Sequence, residues 1–167
     1  MKRILLLFGV CLLLASPIFT PRLFAQTAAE LETLLYADAV NYAQAARFVL
    51  LAADIDDLNP EDAFRYAMEK NWLPAAAEKD AVAKLDGVSL LITRAFNMKG
   101  GAFYTLFMRA FSMKGGAFFT SINSHYAYRE LLFQNVIQGR AEPDMVVSGE
   151  LLLFVVNRAL ELTEGEL

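Results

Sequence analysis

The stretch YAYRELLFQNVIQGRAEPDMVVSGELLLFVVNRALEL (residues 126–162) decides the predicted fold, since it lies without a gap over DAFRYAMEKNWLPAAAEKDAVAKLDGVSLLITRAFNM (residues 62–98). Each copy reads as a helix, a short apolar turn, an acidic loop and a second helix. A unit of this kind cannot bury its apolar face alone, so we expect the copies to pack together. The identical pairs are Ala63/Ala127, Arg65/Arg129, Asn71/Asn135, Ala77/Ala141, Glu78/Glu142, Asp80/Asp144, Val82/Val146, Arg94/Arg158 and Ala95/Ala159.

Helix start and stop signals follow each other closely along the chain. Asn59 is an N-cap residue with Pro60 at the first helical position, and residues 71–74 end that helix. Further helices are predicted over residues 39–53, after Asp38, and over 151–162, with residues 163–167 as a frayed tail. Strand-like alternation is scarce, so the expected fold is all-α, with repeated helix–loop–helix units packed as a compact helical array.

A second, shorter repetition lies between the two long copies. RAFNMKGGAFYT (residues 94–105) recurs as RAFSMKGGAFFT (residues 109–120), which is typical of a tandem duplication. A Gly pair after Met-Lys favours a helix that stops at Gly100 and again at Gly115, with Gly in the left-handed conformation. The alternative is a pair of aromatic hairpins that turn at Gly-Gly.

Residues 1–25 have the parts of a cleavable signal peptide. Lys2 and Arg3 precede an apolar run over residues 4–15, which is shorter than the ~20 residues that span a bilayer. We expect cleavage after Ala25; the alternative is a retained N-terminal anchor. Cleavage takes Cys11, the only cysteine, and three basic residues with it. The Lys+Arg count falls from 15 to 12 against 19 Asp+Glu, so the net charge goes from −4 to −7.

An acidic chain of this kind has no electrostatic reason to bind nucleic acid, because Lys and Arg supply the affinity for phosphate. A mature chain without a thiol excludes disulfides and cysteine catalysis. We find no phosphate loop, nucleophile elbow, zinc spacing or pair of catalytic carboxylates, and therefore expect a non-catalytic protein without cofactor or metal.

The longer repeat resembles the S-layer homology (SLH) repeat, a helix–loop–helix module that binds cell-envelope polymers. The residues that carry the resemblance are Tyr126-Ala127-Tyr128, Asn135 to Gly139, Val147 to Glu150 and Asn157 to Leu160, with a third, partial copy at Val40 to Val49. The chain is also similar to small exported envelope proteins of spirochaetes. The resemblance implies a half-repeat at 38–58, repeats at 59–98 and 124–162, and an insertion at 99–123, all within one domain over 26–167.

The resemblance also implies which residues contact a ligand. The Thr-Arg-Ala-Glu box of the family has its Arg replaced here by Tyr42, Leu85 and Gly149. We expect Tyr42, Lys84 and Ser148 to be the positions that still face a ligand. The implied partner is a cell-wall polymer such as peptidoglycan, or another envelope protein, in the periplasm or at the cell surface.

Other candidate residues have plainer interpretations. His125 has no second His or Cys to share a metal, so Ser124-His125 is expected to cap the following helix. The acidic run Asp54, Asp56, Asp57, Glu61 and Asp62 lacks the spacing of a calcium loop and is expected to be a solvated connection. The matching positions Arg65, Asn71, Arg94, Arg129, Asn135 and Arg158 are expected to be structural, with Arg94 and Arg158 near the carbonyls that end their own helices.

The duplicated segment is rich in aromatic residues, and two interpretations stay open. One is that Phe96, Phe107 and Phe111 and their neighbours fill the core. The other is an exposed aromatic surface that contacts lipid or a partner, with Lys99, Arg109 and Lys114 beside it. The binding candidates there are Phe103, Tyr104, Phe118 and Phe119. The alternative function is therefore a membrane- or protein-interaction protein that uses residues 94–122.

Overall fold

The computed structural model describes residues 21–55, 57–98 and 123–165, and within these ranges the chain forms helices and no strand. The prediction of an all-α protein is confirmed. The helices are α1 (Pro21–Leu35), α2 (Tyr42–Ala52), α3 (Pro60–Glu69), α4 (Leu85–Ala95), α5 (Ser124–Phe133) and α6 (Gly149–Gly165).

The chain divides into two compact units, Met1–Tyr36 and Ala37–Leu167. In the first unit, α1 begins at Pro21, a residue whose fixed φ suits the first helical position. The predicted cleavage point after Ala25 falls inside this helix. None of the helices in the described ranges is long and apolar enough to cross a membrane.

In the second unit, α2, α4 and α6 bury side chains at equivalent positions, counted from the residue that precedes each helix. The residues four places after Asn41, Lys84 and Ser148, which precede these helices, are Ala45, Val88 and Leu152, and all are buried. The residues eight places after them are Val49, Ile92 and Val156, which are also buried. A spacing of four residues keeps side chains on one helix face, so the three helices present matched apolar faces.

The remaining two helices of this unit lie outside that core. Helix α3 packs against α2 and α5 packs against α4, while α2 also contacts α4 and α6. Each outer helix contributes buried side chains at a spacing that marks one face, with Ala63 and Ala67 in α3 and Ala127 and Leu131 in α5. The small side chains of Ala63, Ala67 and Ala127 favour a close approach of the packed helices.

Four helices end in the same way, with an Asp or Asn in the left-handed conformation. Asp54, Asn71, Asn97 and Asn135 have φ values of 53°, 56°, 47° and 57° after α2, α3, α4 and α5. In each case the N–H of this residue and that of the next one donate back to carbonyls of the last turn. For α5 the bonds are Asn135 N–H to Leu132 at 3.1 Å and Val136 N–H to Leu131 at 2.9 Å. This is the Schellman motif, which satisfies carbonyls that the helix leaves free.

These ends confirm Asn71 and Asn135 as helix exits and correct one prediction. Helix α4 ends at Ala95, before Gly100, because Asn97 already takes the left-handed conformation that terminates the helix. Gly100, Gly115 and the choice between helices and hairpins lie outside the described residues.

The helix starts also differ in part from the predictions. Asn59 and Pro60 begin α3 as expected, with the Asn59 side chain accepting from the N–H of Asp62. Helix α2 begins at Tyr42 and not at Ala39, because Asn41 is its N-cap. Helix α6 extends over 149–165, beyond the predicted 151–162, so the expected frayed tail is helical as far as Gly165.

The left-handed helix ends give a stability prediction. An Ala at position 135 carries a Cβ that disfavours positive φ, whereas Gly adopts it freely. We expect Asn135→Ala to be less stable than Asn135→Gly by about 1 kcal/mol, as measured by urea unfolding. Equal unfolding midpoints for the two variants, or a more stable Ala variant, would contradict the assignment.

Candidate functional site

Three short extended segments meet in front of α2, α4 and α6 and bond to each other in a closed ring. The N–H of Val40 donates to the carbonyl of Val147 at 2.9 Å, that of Val147 to Ala83 at 3.0 Å, and that of Ala83 to Val40 at 2.8 Å. All three residues are fully buried, so their peptide groups need these partners. We call the meeting point of residues 37–42, 81–85 and 145–149 the junction.

A second set of hydrogen bonds runs around the junction in the opposite direction. The first residues of the three helices donate to the neighbouring segments: Tyr42 N–H to Ala81 at 3.2 Å, Leu85 N–H to Met145 at 3.0 Å and Gly149 N–H to Ala37 at 2.9 Å. The paired segments run antiparallel, with bridges between Asn41 and Val82 and between Lys84 and Val146. Each helix N-terminus is therefore hydrogen-bonded to the extended segment that precedes a neighbouring helix.

The residues before the three helices cap them in different ways. Asn41 and Gln44 form a capping box: Asn41 accepts from the Gln44 N–H at 2.8 Å and Gln44 accepts from the Asn41 N–H at 3.1 Å. The Ser148 hydroxyl accepts from the N–H of Leu151 at 3.2 Å. Lys84 makes no cap with its side chain, which is exposed.

The Tyr42 side chain reaches across the junction to the start of α4, where the Lys84 side chain makes no capping hydrogen bond. Its hydroxyl accepts from the N–H of Lys84 at 3.3 Å, and its side chain is only 6% exposed. The ring lies so close to the first turn of α4 that a Cβ on Gly87 would sit 2.7 Å from the hydroxyl oxygen and 2.9 Å from a ring carbon. Position 87 therefore requires a glycine, because the Tyr42 ring leaves no room for a Cβ. Tyr42 in this way packs the start of α2 against the start of α4.

Asp86, in the first turn of α4, links the junction to α5. Its carboxylate accepts from the Ser124 hydroxyl at 2.8 Å and from the N–H of Gly87 at 2.7 Å. Asp86 and Ser124 stand in the first turns of α4 and α5, so this bond ties the beginnings of two packed helices together. A carboxylate in the first turn of a helix also interacts favourably with the helix dipole.

The surroundings of two tyrosine hydroxyls raise their pKa values. Burial raises the pKa of Tyr42 above 10.0; the nearby Asp86 charge adds to this and the Lys84 N–H opposes it. Burial also raises the pKa of Tyr128, with a further contribution from the Glu142 charge. The Tyr128 hydroxyl donates to the carbonyl of Ala141 at 2.7 Å and so fastens the loop that leads to the junction.

The structure brings the three predicted ligand positions to the junction but not to equivalent places. Lys84 and Ser148 precede their helices as Asn41 does, whereas Tyr42 is a first helical residue like Leu85 and Gly149. Of the three, Lys84 alone has an exposed side chain; Tyr42 is turned into the junction and Ser148 is half-buried and engaged in capping.

Arg158 corrects a structural prediction. Its Nε donates to the carbonyl of Asn135, the residue that ends α5, at 3.0 Å, and its guanidinium lies 5.8 Å from the Phe154 ring centroid. Arg158 therefore braces the end of a different helix and does not bind the last carbonyls of α6. Arg94 lies in the last turn of α4 as predicted.

The remaining predicted positions lie on the outer helices. Arg65 forms an ion pair with Asp62 within α3, and Arg129 is exposed on α5. The helix α5 is capped by Asn123, which accepts from the His125 N–H at 3.1 Å, so neither Ser124 nor His125 is the cap that the sequence predicted.

The acidic connection between α2 and α3 makes ordinary contacts where it is described. Asp54 ends α2, and Asp57 pairs with Arg47 at 3.8 Å; Asp56 lies outside the described residues. Throughout the described ranges there is no group of three His, Cys, Asp or Glu side chains placed to hold a metal ion. Phe103, Tyr104, Phe118 and Phe119 also lie outside the described residues.

Sequence reasoning missed the contacts that close the junction. The Asn41-x-x-Gln44 spacing of a capping box was readable and shifts the start of α2 to Tyr42. The packing of Tyr42 on Gly87 and the Asp86–Ser124 bond had no local signal, because their partners are 45 and 38 residues apart (87 minus 42 and 124 minus 86). Comparison of the chain with family models, with curated proteins and with solved structures finds no match.

The Tyr42–Gly87 contact predicts a coupled pair of substitutions. Gly87→Ala forces a Cβ into the Tyr42 ring, and we expect it to lower the free energy of unfolding by about 1–3 kcal/mol. In a Tyr42→Leu background the same substitution should cost much less, since the clash is removed. Tyr126→Leu, at an exposed tyrosine, is the matched control background. An equal cost of Gly87→Ala in all three backgrounds would show that the contact does not limit position 87.

The raised pKa of Tyr42 predicts a fall in stability at high pH. The folded protein holds the Tyr42 proton more tightly than the unfolded chain, so this contribution is fully present below about pH 10 and is lost as the pH rises through the folded pKa. We expect Tyr42→Phe to lose less stability than wild type in urea unfolding as the pH is raised from about 9 to about 11, across the ordinary tyrosine pKa of about 10. Tyr126→Phe should fall as wild type does. Parallel curves for wild type and Tyr42→Phe would contradict the prediction.

Proposed function

We propose that the second unit is built from three SLH-like copies, a partial one and two complete ones. The support is the junction, where Val40, Ala83 and Val147 make equivalent bonds with their neighbours. The offset between Ala83 and Val147 is 64 (147 minus 83), the same offset that aligns residues 62–98 with 126–162. The partial copy joins at an offset of 43 (83 minus 40), which also places Asp54 over Asn97 at the helix ends.

The function that this arrangement supports best is that of an exported, non-catalytic binding or scaffolding module of the cell envelope. Export follows from the signal-peptide pattern of residues 1–25, and its removal would leave a chain without cysteine. Binding to peptidoglycan or another wall polymer follows from the resemblance of the copies to SLH repeats.

The single observation that carries this proposal is the closed junction. A ring of three mutually bonded segments fixes three helix N-termini around one point, and Lys84 is the exposed basic side chain there. Rigid elements that converge in this way position polar groups for recognition better than a mobile loop does. The junction is therefore the expected contact surface for the polymer.

A retention experiment tests the proposal. The protein is purified from the envelope fraction of its host, its N-terminus is determined, and it is sedimented with purified peptidoglycan sacculi at low and moderate salt. We expect an N-terminus at Gln26 and retention on the sacculi. Lys84→Ala should reduce retention several-fold, while Arg129→Ala, at an exposed basic residue on α5, should leave it unchanged.

Two outcomes would overturn the proposal in different parts. Absence of retention at every salt concentration would remove the polymer as a partner. A protein that keeps residues 1–25 would remove export by a cleaved signal. Liposomes in a parallel sedimentation address the alternative that residues 94–122 contact a membrane, and binding to liposomes without binding to sacculi would favour that alternative over the proposal.

A further inference from the structure

The end of α3 carries a cluster that the junction does not use. Tyr66 and Trp72 stand edge to face, with ring centroids 5.7 Å apart and an interplanar angle of 82°. The ammonium group of Lys70 lies 5.6 Å from the centroid of the Tyr66 ring. Both aromatic side chains are half-buried and Lys70 is exposed. We call these three residues the aromatic corner.

The equivalent place at the end of α5 shows that the helix end does not need this cluster. Trp72 and Val136 occupy the same position of the Schellman motif, because each follows a left-handed Asn and donates its N–H to a carbonyl of the last helical turn. Val136 is fully buried and completes the Schellman motif alone. Tyr66 and Lys70 are matched there by Glu130 and Gln134, which are hydrogen-bonded to each other at 2.7 Å. A half-buried Trp72 therefore exceeds what the motif requires.

Within the part of the chain that the structure describes, the side-chain polar atoms of the aromatic corner have no hydrogen-bond or ion-pair partner. Among the described residues, no group accepts a hydrogen bond from the Trp72 indole N–H or the Tyr66 hydroxyl, and no carboxylate pairs with Lys70. The neighbouring Lys79 differs in this respect, since it pairs with Glu61 at 3.1 Å. Two aromatic rings with free donors at their edges combine an apolar wall with hydrogen-bonding capacity.

We propose that the aromatic corner binds an uncharged sugar ring, of the N-acetylated kind. The apolar face of a sugar packs on aromatic rings, and its hydroxyl and amide oxygens accept from the indole N–H and the ammonium group. A polyanionic ligand fits less well, because the chain carries a net charge of −4 and Glu69, next to Lys70, is exposed. The choice of a glycan rests on the proposed function; the place of binding rests on the corner itself.

The site can be tested directly, because Trp72 is the only tryptophan of the chain. The full chain is titrated with the trimer of N-acetylglucosamine while the tryptophan emission is recorded. We expect a saturable change in emission with a dissociation constant on the order of a millimolar, typical of a small exposed site. Absence of a saturable change up to tens of millimolar, well above that range, would overturn the proposal.

Variants distinguish a binding role from a structural one. Lys70→Ala and Tyr66→Leu keep the fluorophore, and each should weaken trimer binding by about tenfold or more. Trp72→Val copies the residue found at position 136, and binding to it is followed by line broadening of the trimer in NMR spectra. Circular dichroism monitors folding of each variant. Tyr126→Leu, at an exposed tyrosine on α5, is the matched control and should bind as wild type. Unchanged binding by all three corner variants would overturn the proposal.

The sacculus experiment separates this inference from the proposed function. If sacculi retain the protein but the trimer does not bind at Trp72, the inference fails while the function stands. If the trimer binds at Trp72 but sacculi do not retain the protein, the corner stands and the wall polymer is removed as the partner. Failure of both measurements overturns both proposals.

Discussion

The closed ring of hydrogen bonds among Val40, Ala83 and Val147 is the constraint on which the rest of the second unit depends. A buried peptide group without a partner costs more free energy than a single hydrogen bond normally contributes, so none of the three segments can leave without exposing the other two to that cost. The ring holds the segments in one arrangement, and the helices that follow them must then point away from one centre with their apolar faces in register.

The starts of the three helices differ in sequence because different side chains satisfy their first N–H groups. A free helix N-terminus requires a side-chain cap, and Asn41 and Ser148 supply one. At α4 other side chains do this work: the Asp86 carboxylate accepts from the Gly87 N–H, and the Tyr42 hydroxyl accepts from the Lys84 N–H. A lysine is tolerated at the N-cap position for that reason, and its side chain remains exposed.

The aromatic corner lies at the other kind of helix end, where the local motif alone is sufficient. Val136 and Trp72 occupy the same position after a left-handed Asn, and the smaller residue already completes the motif. Comparison of the two helix ends shows that the backbone motif requires an apolar side chain at this position but does not require a tryptophan. In the proposed function, the junction is common to all three copies, whereas the sugar contact belongs to one of them.

The sequence by itself determined the helical class, the start of α3 at Asn59-Pro60 and the ends of α3 and α5 at Asn71 and Asn135, because caps and left-handed residues act within a few positions along the chain. The family resemblance also singled out Tyr42, Lys84 and Ser148 as ligand positions, and that role stays a prediction. Only the tertiary structure decided which of them is buried, that Arg158 bonds to Asn135, and that Gly87 must lack a side chain beneath Tyr42. The physical reason is that these contacts join residues tens of positions apart, whose partners are fixed by the closure of the ring and leave no periodic or local mark in the sequence.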